Sequence, residues 1–210
     1  MKLKKDIHLG IADQVCSLCD HIAYFWEKEQ EFTRGVQFLV SGLRANDDCV
    51  IFGFEEANAK VMQTLEQEGV DVDAHRKTGR LIQLTGNESG DMMLSSIGAH
   101  FQDRIDRGTK LIRLLGNIGW GRKGWPDEAS ILEFEAKVTG AAKQFPCVIV
   151  CMYDVKALSG RVMLKGAFET HPLTIRGNVL RENPHYLTVD EFLSRLSEDG
   201  NEGKSEESAA

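Results

Sequence analysis

Five apolar runs alternate along the chain with segments of helical periodicity, and this alternation constrains the fold more than any other feature. The runs are rich in Val, Ile and Leu and lie at 21–25, 49–54, 80–85, 110–116 and 146–154. Strands that alternate with helices are joined by crossovers, and crossover connections produce parallel pairing. The alternation therefore predicts a three-layer α/β domain, with helices covering both faces of a mainly parallel central sheet.

The intervening segments carry helix signals of their own. Residues 31–46 and 58–69 place apolar side chains three and four positions apart, and Gly69 ends the second segment. A further helix is expected up to Arg107 with Asp91 as its N-cap. Pro126 stands where a proline is tolerated, in the first turn of another helix.

The region after the fifth strand is expected to change character. A short helical stretch at 158–169 leads to His171-Pro172, which favours extended backbone. Residues 173–180 then predict a short hairpin, because Gly177-Asn178 is a turn pair between two β-prone triplets. A last helix is predicted at 188–197.

One domain accounts for most of the 210 residues. We interpret residues 1–17 as an N-terminal extension and 18–197 as the folded domain. The remaining residues, 198–210, hold five acids, one lysine and no apolar side chain larger than alanine. Such a segment cannot bury enough surface to offset the entropy of ordering, so we predict a disordered acidic tail.

Charge and cysteine content bound the cellular setting. The net charge is −7, and the basic residues are scattered, which disfavours direct binding to nucleic acid or to an anionic membrane. No apolar run reaches the roughly 18 residues of a membrane helix, and no signal peptide is recognisable. Cys49, Cys147 and Cys151 lie in apolar runs, as expected of free thiols in a reducing compartment. These features predict a cytoplasmic protein.

The turn after the first strand lacks the features of a phosphate-binding loop. Such a loop needs glycines, a lysine and a Ser or Thr. This turn has no glycine before the helix and carries Glu27, Glu29 and Glu31 instead. The fourth strand ends in Gly116-Asn117, where a magnesium-binding aspartate would be expected. No nucleophile elbow is present either. We therefore expect no ATPase or other enzyme activity, no catalytic residues and no cofactor.

Short motifs distributed over 18–196 resemble the MEDS domain, a sensory domain of methanogens and methylotrophs named after the dichloromethane-responsive repressor. These motifs are His21, Tyr24-Phe25-Trp26, Gly116 through Trp120, Glu133 with Glu135, Met152-Tyr153-Asp154, His171-Pro172, and Glu182-Asn183-Pro184 with Tyr186. The stretch from the first to the third strand also looks like a KaiC/RecA-type ATPase core.

The resemblance implies a RecA/KaiC-like fold with a degenerate phosphate loop. It also implies a non-catalytic sensor that binds a small organic ligand. Because the sequence shows no DNA-binding or kinase segment, the signal is expected to pass to a separate protein, a histidine kinase or a transcription regulator. Self-association into a homo-oligomer is the alternative output.

In open α/β sheets, ligands bind at the carboxyl ends of the strands. Tyr24, Trp26, Trp120, Tyr153 and Asp154 follow or end three of the predicted strands. Aromatic walls with a few polar groups suit a small organic ligand. The alternative is that these rings fill the space themselves, as buried aromatics commonly do, and that the protein is an interaction module with a self-filled pocket.

Further polar candidates come from the helix after Pro126 and the segment before the hairpin. Glu133 and Glu135 are two positions apart and cannot face the same way. We expect either Glu133 to face the sheet beside Arg113 or Arg176, or a solvated Glu135 with a structural ion pair for Glu133. His171 is either a ligand anchor or a histidine at a helix end. The candidate ligand-binding residues are His21, Tyr24, Trp26, Trp120, Glu133, Tyr153, Asp154, His171 and Arg176.

Two cysteines near the N-terminus offer another kind of chemistry. Cys16 and Cys19 form a C-x-x-C pair flanked by His8 and His21, which is half of a zinc site or a redox pair. A zinc site needs a second ligand pair at compact spacing, and His21 opens a predicted strand. A metal or thiol redox protein therefore stands as the alternative function, with incidental cysteines as the simpler reading.

Overall fold

The computed structural model describes residues 6–207, with the side chains of residues 6–198. Two short strands come first and seven more build the central sheet: β1 Ile7–His8, β2 Val15–Cys16, β3 His21–Trp26, β4 Asp48–Gly53, β5 Leu81–Thr85, β6 Ile112–Asn117, β7 Cys147–Asp154, β8 Leu173–Arg176 and β9 Val179–Glu182. The central sheet has the order β5-β4-β6-β7-β3-β8-β9. Every pair in it is parallel except β8 with β9. The predicted α/β fold and the C-terminal hairpin are confirmed.

The described residues also form six α-helices and one π-helical segment, of which all but the last helix connect strands: α1 Glu29–Arg44, α2 Glu55–Gln67, α3 Val72–Lys77, α4 Gly90–Asp106, α5 Glu128–Ala142, the π-helical segment Val162–Phe168, and α6 Val189–Glu207. The short helix α3 was not predicted. Ser89 rather than Asp91 caps α4, because its side chain accepts the backbone N–H of Met92. Pro126 precedes the cap of α5, which is Asp127.

The helices form one layer on each face of the sheet. Helices α1 and α2 pack on one face, and α5 packs on the other, with α4 beside it. Because side chains alternate along a strand, Ile22 and Tyr24 of β3 belong to the α1 layer, whereas Ala23 and Phe25 belong to the α5 layer. This parity decides which of the strand-end residues can share a site.

The predicted N-terminal extension packs onto the domain. Strands β1 and β2 pair as an antiparallel hairpin. Leu9 and Ile11 between them are fully buried in the core cluster that also contains residues of α1. Gly10 adopts φ +75°, and a Cβ there would lie 2.5 Å from the carbonyl oxygen of Gln37. Only glycine fits this close approach of the hairpin to α1.

The last described element is α6, which reaches Glu207, ten residues beyond its predicted end. Thr188 and Glu191 cap it reciprocally, as the sequence predicted. Residues 198–207 of the predicted disordered tail lie in α6, and the side chains after residue 198 and all of residues 208–210 are outside the described part of the chain. The disordered tail stays a prediction. Across residues 6–207, no helix has the length and apolar character needed to cross a membrane.

Candidate functional site

A cavity of about 440 Å³ opens at the carboxyl ends of β3, β4, β6 and β7. Aromatic rings form much of its wall, and charged side chains come from α2 and from the loop after β6. The lining includes Trp26, Phe32, Phe54, Glu56, Lys60, Asn117, Trp120, Arg122, Met152 and Asp154. Three of the predicted ligand residues, Trp26, Trp120 and Asp154, therefore meet at one cavity.

Two cations of this carboxyl-edge cavity lie against aromatic faces. The Lys60 ammonium is 4.2 Å from the ring centroid of Phe32 and 5.0 Å from that of Trp26. The Arg122 guanidinium lies 3.5 Å from the ring centroid of Phe54. Cation–π contacts of this kind hold a positive charge beside an apolar wall. Lys60 also pairs with Glu29 at 2.6 Å, and Arg122 pairs with Glu56 at 3.4 Å. With Glu56 and Asp154 in the lining, the cavity wall combines apolar surface with charges of both signs.

Two donors of the cavity lining have no acceptor among the described residues. Trp26 Nε1 and Asn117 Nδ2 are buried atoms without a hydrogen-bond partner. A buried donor without an acceptor costs about 1–3 kcal/mol. Both residues line the carboxyl-edge cavity, but the two donor atoms themselves are buried, so a ligand acceptor would reach them only after a side-chain rotation.

In the turn between β3 and α1, the side chain of Glu31 binds the backbone N–H groups. Glu31 Oε2 accepts the backbone N–H groups of Glu27 at 2.8 Å and Lys28 at 3.1 Å. The hydrogen bond from the Glu27 backbone, followed by that from Lys28, lowers the pKa of the Glu31 carboxyl. In a phosphate-binding loop, backbone N–H groups at a helix start bind the phosphate. Here a carboxylate of the same chain takes that position.

A second group of polar residues lies inside the fold, on the α5 side of the sheet. It comprises His21 of β3, Glu135 of α5, Cys151 of β7 and His171, which follows the π-helical segment. Three of them are fully buried and Cys151 is 3% exposed. The His21 and His171 rings lie with centroids 3.9 Å apart. We call these four residues the buried tetrad.

Burial dominates the electrostatics of the buried tetrad. It raises the pKa of Glu135 to about 8 and lowers that of His171 to about 3. It also lowers the pKa of His21 and raises that of Cys151. The charged form of each group is thereby disfavoured in this site unless an opposite charge is present.

An apolar cavity of about 270 Å³ borders the buried tetrad. It lies between α4, α5 and the sheet, and its lining includes Phe101, Phe134 and Phe145 together with Glu135 and Cys151. Two members of the tetrad are therefore adjacent to open space, while the two histidines are enclosed by protein.

Residues 20–172 match the family model described as the MEDS domain, the methanogen/methylotroph, DcmR sensory domain. The match covers well over half of the 210 residues. The chain belongs to the MEDS family. No curated protein matches it. Sensing is thus the role shown for this type of domain, and the N-terminal hairpin precedes the matched region.

The MEDS domain does not form the single aromatic pocket that the sequence suggested. Tyr24 is opposite Met152 in the parallel register, and Tyr153 is opposite Phe25. The two tyrosines therefore lie on opposite faces of the sheet, and both are buried. Tyr24 donates to the carbonyl oxygen of Glu31, on the face of the sheet opposite the tetrad. The expectation that Tyr24, Tyr153 and Trp120 line one cavity was wrong.

Neither expectation for the two glutamates holds in full: Glu133 does not face the sheet and Glu135 is not solvated, but the ion pair expected for Glu133 is formed. Glu133 is 47% exposed and forms an ion pair with Lys137 at 2.6 Å, whereas Glu135 faces the sheet. Arg113 belongs to the α1 side and cannot reach either glutamate. Arg176 is exposed at the end of β8, beside a third cavity at the β3 turn.

Helical spacing holds the signal that identifies Glu135. Ile131, Val138 and Thr139 lie four before, three after and four after it, and all are buried. Residues at these spacings share a helix face. Cys151 gave no such signal, because a cysteine in an apolar strand is expected to act as a small hydrophobe.

The N-terminal metal alternative is not formed by the MEDS domain. Over residues 6–198, the group of His, Cys, Asp and Glu with metal-ligand geometry contains His21 but none of His8, Cys16 and Cys19. His8 is exposed on β1, and Cys16 and Cys19 are both free thiols. His21 lies in the tetrad instead, together with the predicted residue His171.

Proposed function

We propose that this MEDS domain is a non-catalytic sensor that binds a small organic ligand in the carboxyl-edge cavity. The observation that carries the proposal is the pair of unpartnered donors, Trp26 Nε1 and Asn117 Nδ2, in the lining of that cavity. Pockets for small molecules have volumes of roughly 300–1,000 Å³. The volume of about 440 Å³ falls in this range. It favours ligand binding over a self-filled interaction module.

The cavity chemistry indicates the class of ligand. Lys60 and Arg122 already pair with Glu29 and Glu56, so Trp26 and Asn117 supply the N–H donors that remain for a ligand. A ligand that satisfies them carries an acceptor such as a carbonyl or carboxylate oxygen. The aromatic rings require an apolar part on the same molecule. The ligand is therefore a small apolar compound with one acceptor group.

The absence of a free phosphate-binding turn supports a non-catalytic role. Glu31 already accepts the N–H groups of Glu27 and Lys28, and the carboxylates in this turn repel a triphosphate. The KaiC/RecA-like ancestry of the fold stays part of this proposal. According to this proposal, the domain binds its ligand at the carboxyl edge of the sheet, where α/β proteins usually do, but lacks the phosphate-binding loop that ATP requires.

Output is proposed to pass through a separate histidine kinase or transcription regulator, or through a second copy of the chain. The carboxyl-edge cavity is lined both by α2, through Lys60, and by the loop after β6, through Trp120 and Arg122. A ligand held between them has contacts on two elements at once. It can therefore shift a preexisting equilibrium between their arrangements.

The test removes the N–H donor of Trp26 and leaves an aromatic ring at that position. Small carboxylates, ketones and halomethanes are screened by thermal shift, and hits are titrated by calorimetry. For an oxygen-bearing hit, Trp26→Phe is expected to weaken binding about tenfold, since one lost hydrogen bond costs about 0.5–1.5 kcal/mol. Trp125→Phe is the control, because Trp125 packs on Phe52 outside the carboxyl-edge cavity lining. Equal affinity in both variants, or no hit at all, would contradict the proposal.

A further inference from the structure

We propose that the buried tetrad, His21, Glu135, Cys151 and His171, binds one divalent transition-metal ion, with zinc as the best fit. This site is separate from the carboxyl-edge cavity and does not depend on the ligand proposed there. The four residues come from three elements of the fold and one connecting segment. One candidate ligand atom from each residue lies within 4.8 Å of every other.

The spacing of the ligand atoms fits a tetrahedral ion. His21 Nε2 is 3.3 Å from Cys151 Sγ and 3.8 Å from Glu135 Oε2. Glu135 Oε2 is also 3.7 Å from His171 Nε2 and 3.8 Å from Cys151 Sγ. Zinc bonds of about 2.0–2.3 Å at tetrahedral angles place ligand atoms roughly 3.3–3.7 Å apart. The tetrad needs only small side-chain shifts to reach these distances.

The hydrogen bonds of His171 direct an unprotonated nitrogen toward the centre. Its Nδ1 lies 3.0 Å from the carbonyl oxygen of Ala167, which can only accept a hydrogen bond. The proton is therefore on Nδ1, and Nε2 carries the lone pair. His171 Nε2 is fully buried and has no hydrogen-bond partner among the described residues. A metal ion is the partner that this atom lacks.

His21 is oriented in the same way through Thr139. The Thr139 hydroxyl donates to the carbonyl oxygen of Thr170 at 2.8 Å, so its oxygen accepts from His21 Nδ1, also at 2.8 Å. His21 Nε2 is thus unprotonated as well and lies beside Cys151 and Glu135. Metal-binding histidines commonly donate their other N–H to an oxygen of the protein in this manner.

The second oxygen of Glu135 is held outside the centre. The Tyr153 hydroxyl lies 2.7 Å from the Gly166 carbonyl oxygen and 3.2 Å from Glu135 Oε1, and its single proton is shared between these two acceptors. Oε2 is left facing both histidines and Cys151. A hydrogen-bonded carboxylate with one oxygen inward is the usual arrangement of a metal-binding glutamate.

The charges of the buried tetrad balance a divalent ion. Two neutral imidazoles, one thiolate and one carboxylate carry a total charge of −2, so one divalent cation makes the site neutral. An uncompensated carboxylate or thiolate is costly in a fully buried position. Metal binding would displace the protons that otherwise keep Glu135 and Cys151 neutral. Mixed N, O and S ligands in a tetrahedron favour zinc among common ions.

Metal content of the full chain tests the site directly. The protein is purified without chelator, dialysed against Zn²⁺, exchanged into metal-free buffer and analysed by mass spectrometry for metals. We expect one zinc per chain. Replacement with Co²⁺ should give the intense visible absorption of a tetrahedral ion and a thiolate-to-cobalt charge-transfer band. A wild-type chain that retains no ion, or binds Co²⁺ with an octahedral spectrum, would overturn the proposal.

Two cysteine variants locate the ion. Cys151→Ser should abolish the charge-transfer band and weaken zinc retention. Cys147→Ser is the matched control, because Cys147 lies on the same strand, is fully buried and donates to the Ala142 carbonyl outside the tetrad. It should bind zinc and cobalt like the wild type. Loss of the band in Cys147→Ser but not in Cys151→Ser would place the ion elsewhere and refute the assignment. If Cys151→Ser does not fold, zinc retention in His171→Gln and the charge-transfer band of the wild type test the site instead. Weaker zinc retention in His171→Gln is then the expected result.

Discussion

Replacement of Arg113 by methionine is expected to destabilise the protein strongly, because this side chain holds together three parts of the chain. Arg113 Nε pairs with Asp47 at 2.8 Å, and the two side chains are only 4% and 15% exposed. Arg113 Nη1 donates to the carbonyl oxygens of His8 and Phe38 at 2.9 and 3.2 Å. One guanidinium thus links β6 to α1, to Asp47 and to the N-terminal hairpin.

The magnitude follows from what methionine leaves behind. Removal of one partner of a buried ion pair costs about 3–5 kcal/mol, because the remaining charge is uncompensated. Two backbone carbonyls also lose their donor. For a protein of this length, 1 kcal/mol corresponds to about 2–4 °C in melting temperature. We expect the melting temperature of Arg113→Met to fall by roughly 6–20 °C.

Thermal unfolding followed by circular dichroism at neutral pH measures the change in melting temperature, and urea unfolding measures the change in the free energy of unfolding. Arg107→Met is the control, since Arg107 and its partner Asp103 are 65% and 50% exposed. Exposed pairs contribute at most about 1 kcal/mol. The double variant Arg113→Met with Asp47→Asn should recover part of the loss, because the uncompensated charge is gone. A loss below about 1 kcal/mol in Arg113→Met would refute the reasoning.

Two predictions concern the turn between β3 and α1. Calorimetry with ATP and magnesium should detect no micromolar affinity, because Glu31 occupies the N–H groups of Glu27 and Lys28; clear micromolar binding would contradict this. These bonds lower the pKa of Glu31 below its ordinary 4.5. Its stabilising effect is therefore present above about pH 4.5 and is lost as the pH falls through the folded-state pKa. Acid titration of stability should show a shallower loss for Glu31→Gln than for the wild type, and identical profiles would argue against the cap.

The strand order along the chain could be predicted because long apolar runs are a strong signal. All five parallel strands found by their apolar residues lie within two residues of the predicted ends. The hairpin could also be predicted, because Gly177-Asn178 is a turn pair. Gly177 adopts φ +62° in that turn. The two-residue strands β1 and β2 gave no periodicity to detect. Leu9 and Ile11 are buried through tertiary contact alone.

The site was less predictable, for two physical reasons. Strands β3 and β7 are buried on both faces, so their sequences do not show which residues face which layer. Tyr24 and Tyr153 therefore seemed to share a pocket when they do not. The buried tetrad joins residues separated by up to 150 positions. The parallel pairing of β3 with β7 brings His21 near Cys151, and the packing of α5 and of the segment after the π-helix adds Glu135 and His171. Trp26 and Trp120 of the carboxyl-edge cavity were predicted because strand ends meet at one edge in any parallel sheet, whereas Phe32 and Phe54 were not predicted.

The π-helical segment Val162–Phe168 constrains how many residues precede His171 more than it constrains which residues they are. Its wide turn is closed by the N–H of Glu169, which donates to the carbonyl oxygen of Leu164 five residues earlier. Deletion of one residue there would restore the α-helical repeat and turn the following chain by about 100°. His171 would then rotate away from its place. Leu164 is 63% exposed and tolerates substitution, but the number of residues between Tyr153 and His171 cannot change without breaking up the tetrad.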